Sequence, residues 1–171
     1  MFDWVNGRPP ILLRANDVKG WPGAYLKPDP TLWARVAPYR GSAALVLRGA
    51  HLTTAIPLEL GGLLLVSAVY CDSDDALSAH LDLMPTVGWE LCPARFESDG
   101  SGHALLDGSH TGSELEGDAA TDEIAAESGG VIPVSLPAGT YDVEALGPWS
   151  PDDRTELWLT RLVRTAPPPQ S

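Results

Sequence analysis

Basic residues are the scarcest component of this chain. Eleven Lys and Arg stand against 23 Asp and Glu over 171 residues, and no base lies between Arg48 and Arg95. The resulting net charge of -12 argues against binding nucleic acid, which requires a basic footprint. It argues equally against docking on an anionic membrane. Cysteine is limited to Cys71 and Cys92, with no short spacing between them; they read as reduced small hydrophobes in a cytosolic protein, not as a disulfide framework. Long hydrophobic runs are missing too. The longest, Gly61 to Tyr70, falls far short of the roughly 18 residues that span a bilayer and suits a buried strand. Near the start, Ile11-Leu12-Leu13 is cut at once by Arg14, so no secretory signal is expected and the chain is placed in the cytoplasm. No repeat period is visible.

What is present argues for a folded domain. The length suits one domain that buries roughly 70% of its unfolded surface. Trp4, Trp21, Trp33, Trp89, Trp149 and Trp158 supply anchors, at least four of them expected in core packing. The 17 Gly and 16 Pro exclude a long-helix protein.

The pattern along the chain is mostly strands. Asn6-Gly7, between Trp4-Val5 and Ile11-Leu12-Leu13, predicts a tight hairpin that Pro9 and Pro10 confine to a sheet edge. Asp29-Pro30 predicts an N-cap and first helical residue for a short turn through Trp33 and Val36. Strands are expected at Ser42 to Leu47, Leu52 to Ile56 and Leu63 to Tyr70, the last apolar enough to be central and buried on both faces. Asp72-Ser73-Asp74-Asp75 opens a helix with Ala76, Leu77, Leu81 and Met84 as its apolar stripe, and Pro85 ends it. Further strands are expected at Val87 to Phe96, His103 to Leu106, Val131 to Leu136, Tyr141 to Ala145 and Arg154 to Arg164. Between Asp107 and Gly130 the pattern stops. The fold class is therefore mainly β (α+β): two packed antiparallel sheets, or one strongly coiled sheet, of eight or nine short strands with one short helix. A single domain over residues 1–165 carries an acidic, flexible insertion at 107–130, and residues 166–171 form a Pro-rich tail.

No motif identifies a chemistry. His51, His80, His103 and His110 lack zinc spacing. Asp72, Asp74 and Asp75 lack the Gly and Glu that complete a calcium loop, because Leu77 and Leu83 stand in those places. Gly108-Ser109-His110-Thr111-Gly112 places His where a nucleophile elbow places Ser, so a flexible polar loop is expected there. Gly61-Gly62 lacks the spacing of a phosphate cradle. No catalytic residue, cofactor or metal is assigned.

Charge is the one uneven feature. Residues 1–48 carry a net +4, residues 49–94 six acids and no base, residues 95–153 a net -12, and residues 154–171 a net +2. Glu114, Glu116, Asp118, Asp122, Glu123 and Glu127 crowd six acids into fourteen residues. Such a run is either a solvated loop or an electrostatic docking surface for a basic protein.

At Trp4-Val5, Ile11-Leu12-Leu13 and Trp21-x-Gly23 the chain resembles the bacterial immunity protein 21 family. The resemblance continues through an Asp–aromatic–Arg turn on Asp29, Trp33 and Arg35. It then takes in Ala44 to Leu47, Thr53 to Pro57, Gly61 to Val66 and Tyr70 to Ala76, so that it covers mainly residues 4–80. Asp99-Gly100 and Pro137 to Tyr141 match in style only, and Pro9-Pro10 stands where the family pattern has glycines. The resemblance implies a non-enzymatic cytoplasmic protein that neutralises a cognate toxin of a polymorphic toxin system, and the acidic segment would suit a basic toxin domain. Two other classes stay open: a small β-sandwich hydrolase or carbohydrate-binding module around Asp107 and His110, and a β-rich regulatory or packing domain without a small ligand.

Overall fold

A computed structural model describes residues 2–23, 26–49, 51–116 and 130–165, apart from the side chains of His51 and Glu116. The chain is mainly β, built as two antiparallel sheets. The larger sheet has seven strands. Its order is β1 (Val5–Gly7), β5 (His51–Pro57), β6 (Leu63–Tyr70), β12 (Thr155–Arg164), β11 (Gly139–Asp152) and β7 (Glu90–Leu91), with β8 (Phe96–Ser98) also on β11. The smaller has five, in the order β10 (Val131–Val134), β9 (His103–Asp107), β2 (Pro10–Arg14), β4 (Ser42–Leu47) and β3 (Ala34–Tyr39). The described residues also hold three α-helices, α1 (Ala15–Val18), α2 (Asp74–Leu81) and α3 (Gly112–Glu116), and a short 3-10 turn at Glu59–Gly61.

Each sheet carries an apolar cluster on both faces, which explains why β6, β2 and β4 run apolar without alternating, while β11 and β12 keep alternation. One cluster lies between the sheets, where Leu12, Leu45 and Leu105 meet Leu65, Tyr141 and Leu162. A second covers the outer face of the five-stranded sheet, with Val18, Trp21 and Leu26 over Ile11, Leu13, Val46 and Leu106. A third covers the outer face of the larger sheet, with Leu77, Trp4, Trp89 and Trp149 over Leu64, Val66, Leu157 and Leu159. Four tryptophans thus pack in or on a core, and Trp21 is the most buried at 1% exposure. The remaining two, Trp33 and Trp158, meet edge to face at 4.6 Å.

Strand β6 and helix α2 follow the sequence pattern. Leu63 and Leu65 enter the cluster between the sheets while Leu64 and Val66 enter the outer one. Ser73 caps α2 by accepting the amide of Ala76 at 3.1 Å, and Asp74 and Asp75 occupy the first turn. Leu77 is buried, and Leu81 and Met84 pack beside it.

Other expectations are corrected. Asn6-Gly7 makes no hairpin: β1 pairs with β5, β2 lies in the other sheet, and Gly7 is not among the positive-φ glycines. Nor is β2 an edge strand; it is the middle of five, because Pro10 opens the strand and leaves the ladder to the residues after it. Asp29-Pro30 starts no helix. Asp29 Oδ1 accepts the Thr31 amide at 2.8 Å and its hydroxyl at 2.6 Å, a local turn that competes with helix capping. Val36 then belongs to β3. The expected strand from Val87 to Phe96 is reduced to Glu90–Leu91, and pairing resumes only at Phe96. Pro93 has no amide to donate there, and Cys92 uses its own on Val143 O at 2.7 Å. Among the described residues there are twelve strands and three α-helices, against eight or nine strands and one helix expected.

Candidate functional site

The acidic segment is only partly within the described residues. Asp118, Asp122, Glu123 and Glu127 lie outside them, and of Glu116 only the backbone is described. Its beginning lies within the described residues. Asp107 closes β9 and is 1% exposed. Helix α3 follows, with the Glu114 amide donated to Thr111 Oγ1 at 3.2 Å and Leu115 packed on the second core cluster. Gly112 is required at its start, because a Cβ there would lie 1.5 Å from Val18 O. Glu114 itself is half-buried.

The Asp107–His110 stretch is a turn built around one buried carboxylate. Asp107 Oδ1 accepts the amides of Arg8 (3.0 Å) and Ser109 (2.9 Å) and the Ser109 hydroxyl (2.8 Å). Its Oδ2 meets His110 Nδ1 at 3.0 Å. Ser109 Oγ reaches the same nitrogen, at 3.2 Å. A nucleophile–base–acid relay needs serine and carboxylate on opposite nitrogens of the ring. Here both address Nδ1, so the arrangement satisfies a buried charge.

Around α2 the geometry differs. A groove of about 380 Å³ is lined by Trp4, Leu52, Val69, Tyr70, Asp72 and Asp74. Leu52 and Tyr70 are each 48% exposed, and Val69 37%. Asp74 clamps the N-terminal segment against the groove, accepting the Phe2 amide on Oδ2 at 2.8 Å and Trp4 Nε1 on Oδ1 at 3.2 Å. The turn between β11 and β12 joins the same region. Arg154 Nη1 lies 3.7 Å from Asp72, and His80 Nε2 lies 3.1 Å from Asp152. The Arg154 amide on Asp152 holds that carboxyl below the ordinary carboxylate range, with His80 acting in the same direction. Across the ladder, Tyr70 faces Glu156. Asp72 at the groove is exposed, as are Asp75 and Asp82 in and after α2 and Asp152 and Asp153 in the β11–β12 turn.

The rim does not suit a cation site. Asp74 is used by the N-terminal segment and Asp72 faces Arg154. Among the described residues no group of three or more His, Cys, Asp or Glu is placed to hold a metal ion. No helix among them is long and apolar enough to cross a membrane.

The sequence pointed to Asp72, Asp74 and Asp75 as a helix start, but not to the groove they border. Leu52 comes from β5, Tyr70 from the end of β6 and Trp4 from beside the sheet edge; the β1–β5 and β5–β6 pairings and the Asp74 bond to Trp4 bring them together. Comparison with protein-family models, curated proteins and solved structures finds no match to this chain.

Proposed function

We propose that this protein acts by stoichiometric association with a basic protein partner, as an immunity protein that neutralises a toxin. The observation that carries the reading is the α2 groove: exposed Leu52, Val69 and Tyr70 beside Asp72 and Asp74, with further exposed acids at Asp75 and Asp82 in and after α2. An exposed apolar patch with a polar rim marks interaction surfaces. An aromatic anchor such as Tyr70 supplies contact area, while the acids supply steering. The chain's charge of -12, including Glu114, Glu116, Asp118, Asp122, Glu123 and Glu127, extends that attraction to longer range. A nuclease toxin presents the complementary surface, since its substrate face is positive. The reading requires no catalytic group on this chain, and it places the protein in the cytoplasm, where the toxin acts.

Co-expression with the product of the adjacent gene tests it. Growth restored by a 1:1 complex, and lost with Tyr70→Ala together with Leu52→Ser, is the expected result. If the chain neither binds that product nor restores growth, the reading fails.

A further inference from the structure

Residues 2–4 run outside the hydrogen-bonded ladders, because β1 begins only at Val5, paired with Thr53. One side chain holds them instead. Asp74 takes the Phe2 amide on Oδ2 and the Trp4 indole on Oδ1, bonds that span 72 and 70 residues of chain. Phe2 and Trp4 meet edge to face at 6.3 Å and pack, partly buried, on the outer cluster of the larger sheet. Asp3 between them is exposed.

Helix α2 does not need Asp74 as its cap. Ser73 supplies that cap on the Ala76 amide, and the Ser73 carbonyl accepts the Leu77 amide at 3.0 Å. Asp75 brings the same charge to the same first turn but is exposed, whereas Asp74 is half-buried and bonds the N-terminal segment. Bonds from N–H groups to an ionised carboxylate are roughly twice as strong as neutral ones. Two of them without a ladder still leave a segment that opens more readily than the strands beside it.

The segment reaches the α2 groove through Trp4. Every other lining residue comes from β5, from β6 or from residues 71–74 at the start of α2, and the β5–β6 pairing and the helix cap fix those. One wall of the groove is therefore carried on a detachable segment.

We propose that residues 2–4 are a strap, hinged at Val5 and latched by Asp74, whose closed form completes the α2 groove and retains a bound partner. The identity of that occupant rests on the partner reading above; the latch itself does not. Closed, the strap adds the Trp4 ring to the contact area, and open, it removes that wall. Asp74 is thus a positioning residue acting through Trp4. Its effect falls on dissociation, while the exposed acids govern encounter.

The experiment compares the full chain with Asp74→Ala and Asp75→Ala, which remove the same charge from the same turn of α2. Backbone 15N relaxation is expected to give order parameters of about 0.85 at Asp3 and Trp4 in the parent and in Asp75→Ala, and below about 0.6 in Asp74→Ala, with residues 76–81 rigid in all three. The complex with the adjacent gene's product should dissociate about 10-fold faster for Asp74→Ala than for Asp75→Ala, at similar association rates. Trp4→Phe leaves α2 untouched, keeps a ring on the cluster and removes one donor, and should speed dissociation about 3-fold. Residues 2–4 that stay rigid in Asp74→Ala overturn the proposal, as do residues loosened equally by Asp75→Ala. So does a mobile strap with dissociation no faster than in Asp75→Ala. A parent chain that binds no such product removes the partner reading, and the order parameters then decide the latch on their own.

Discussion

His103 offers the sharpest test of the energetics. It opens β9 with Arg14 of β2 opposite on one side and Val134 of β10 on the other. It is 1% exposed, packs its ring 5.5 Å from that of Phe96, and finds no hydrogen-bond partner for either ring nitrogen among the described residues. Burial pushes its pKa down from 6.5, Arg14 acts in the same direction, and Asp99 opposes them. The folded state therefore holds a neutral imidazole where the unfolded chain takes a proton. Its contribution is fully present above the unfolded pKa of about 6.5. It is lost as pH falls below that value, by at most about 1.4 kcal/mol per pH unit, until the folded-state pKa is reached. Substituting His103→Leu removes the proton site and two unsatisfied nitrogens. An unpaired buried polar group costs about 1–3 kcal/mol, so the variant should match the parent near pH 7.5 or exceed it by about 1–2 kcal/mol, the rest being offset by imperfect shape. Between about pH 6.5 and 5.5 the parent should lose stability while the variant stays nearly flat. Urea denaturation across that range reads both effects. Asp29, Asp99 and Asp152, whose carboxyls are lowered by hydrogen bonds, act only in more acidic solution. Parallel pH slopes for the two proteins would refute the reasoning, as would a variant less stable than the parent by more than about 2 kcal/mol near neutrality.

Four other outcomes follow from the geometry. Gly112→Ala sets a Cβ against Val18 O and should cost at least about 1–3 kcal/mol, with loss of hydrogen-exchange protection at Gly112 and Leu115. Asp107→Ala strips the acceptor from Arg8, Ser109 and His110 and should lower stability by about 2–4 kcal/mol in urea titration. Ser73→Ala removes the cap of α2 and should cost about 1 kcal/mol by thermal denaturation. Neutralising Asp72, Asp75 and Asp82 together should leave the melting temperature nearly unchanged, because exposed charges contribute little. It should slow association with the basic partner and flatten its salt dependence, measured by stopped flow. Unchanged on-rates would remove these acids from the docking surface.

Elements whose identity is set by their own residues were legible. β6 is a nearly continuous apolar run opened by Gly61-Gly62, and α2 carries its cap, its acids and its terminating proline within a few residues of one another. Sheet membership was not legible, because periodicity reports which face a side chain takes and not which sheet the strand joins. β4 and β5 follow one another yet lie in different sheets, as do β10 and β11. The Asn6-Gly7 pair shows the same limit: a local turn preference of modest size gave way to the pairing of β1 with β5. At the candidate site, the acids of 72–75 could be read as a cluster, but their apolar neighbours at 4, 52 and 70 come together through the long-range pairing of β1, β5 and β6. The turn at Asp107 was missed because its glycines and serine resemble a solvated loop, whereas the carboxylate is buried beneath them.

The margins of both sheets bear on how the molecule meets others. The outermost strands of the five-stranded sheet, β3 and β10, contain Pro38 and Pro133, and those of the larger sheet, β1, β7 and β8, are three, two and three residues long. Neither a proline-interrupted margin nor so short a one templates the backbone of a visiting chain. Strand addition is thereby disfavoured both for a partner and for neighbouring copies in a concentrated solution. The α2 groove, by contrast, presents side chains rather than free backbone, so substitutions there would change its surface without disturbing the hydrogen-bonded ladders beneath.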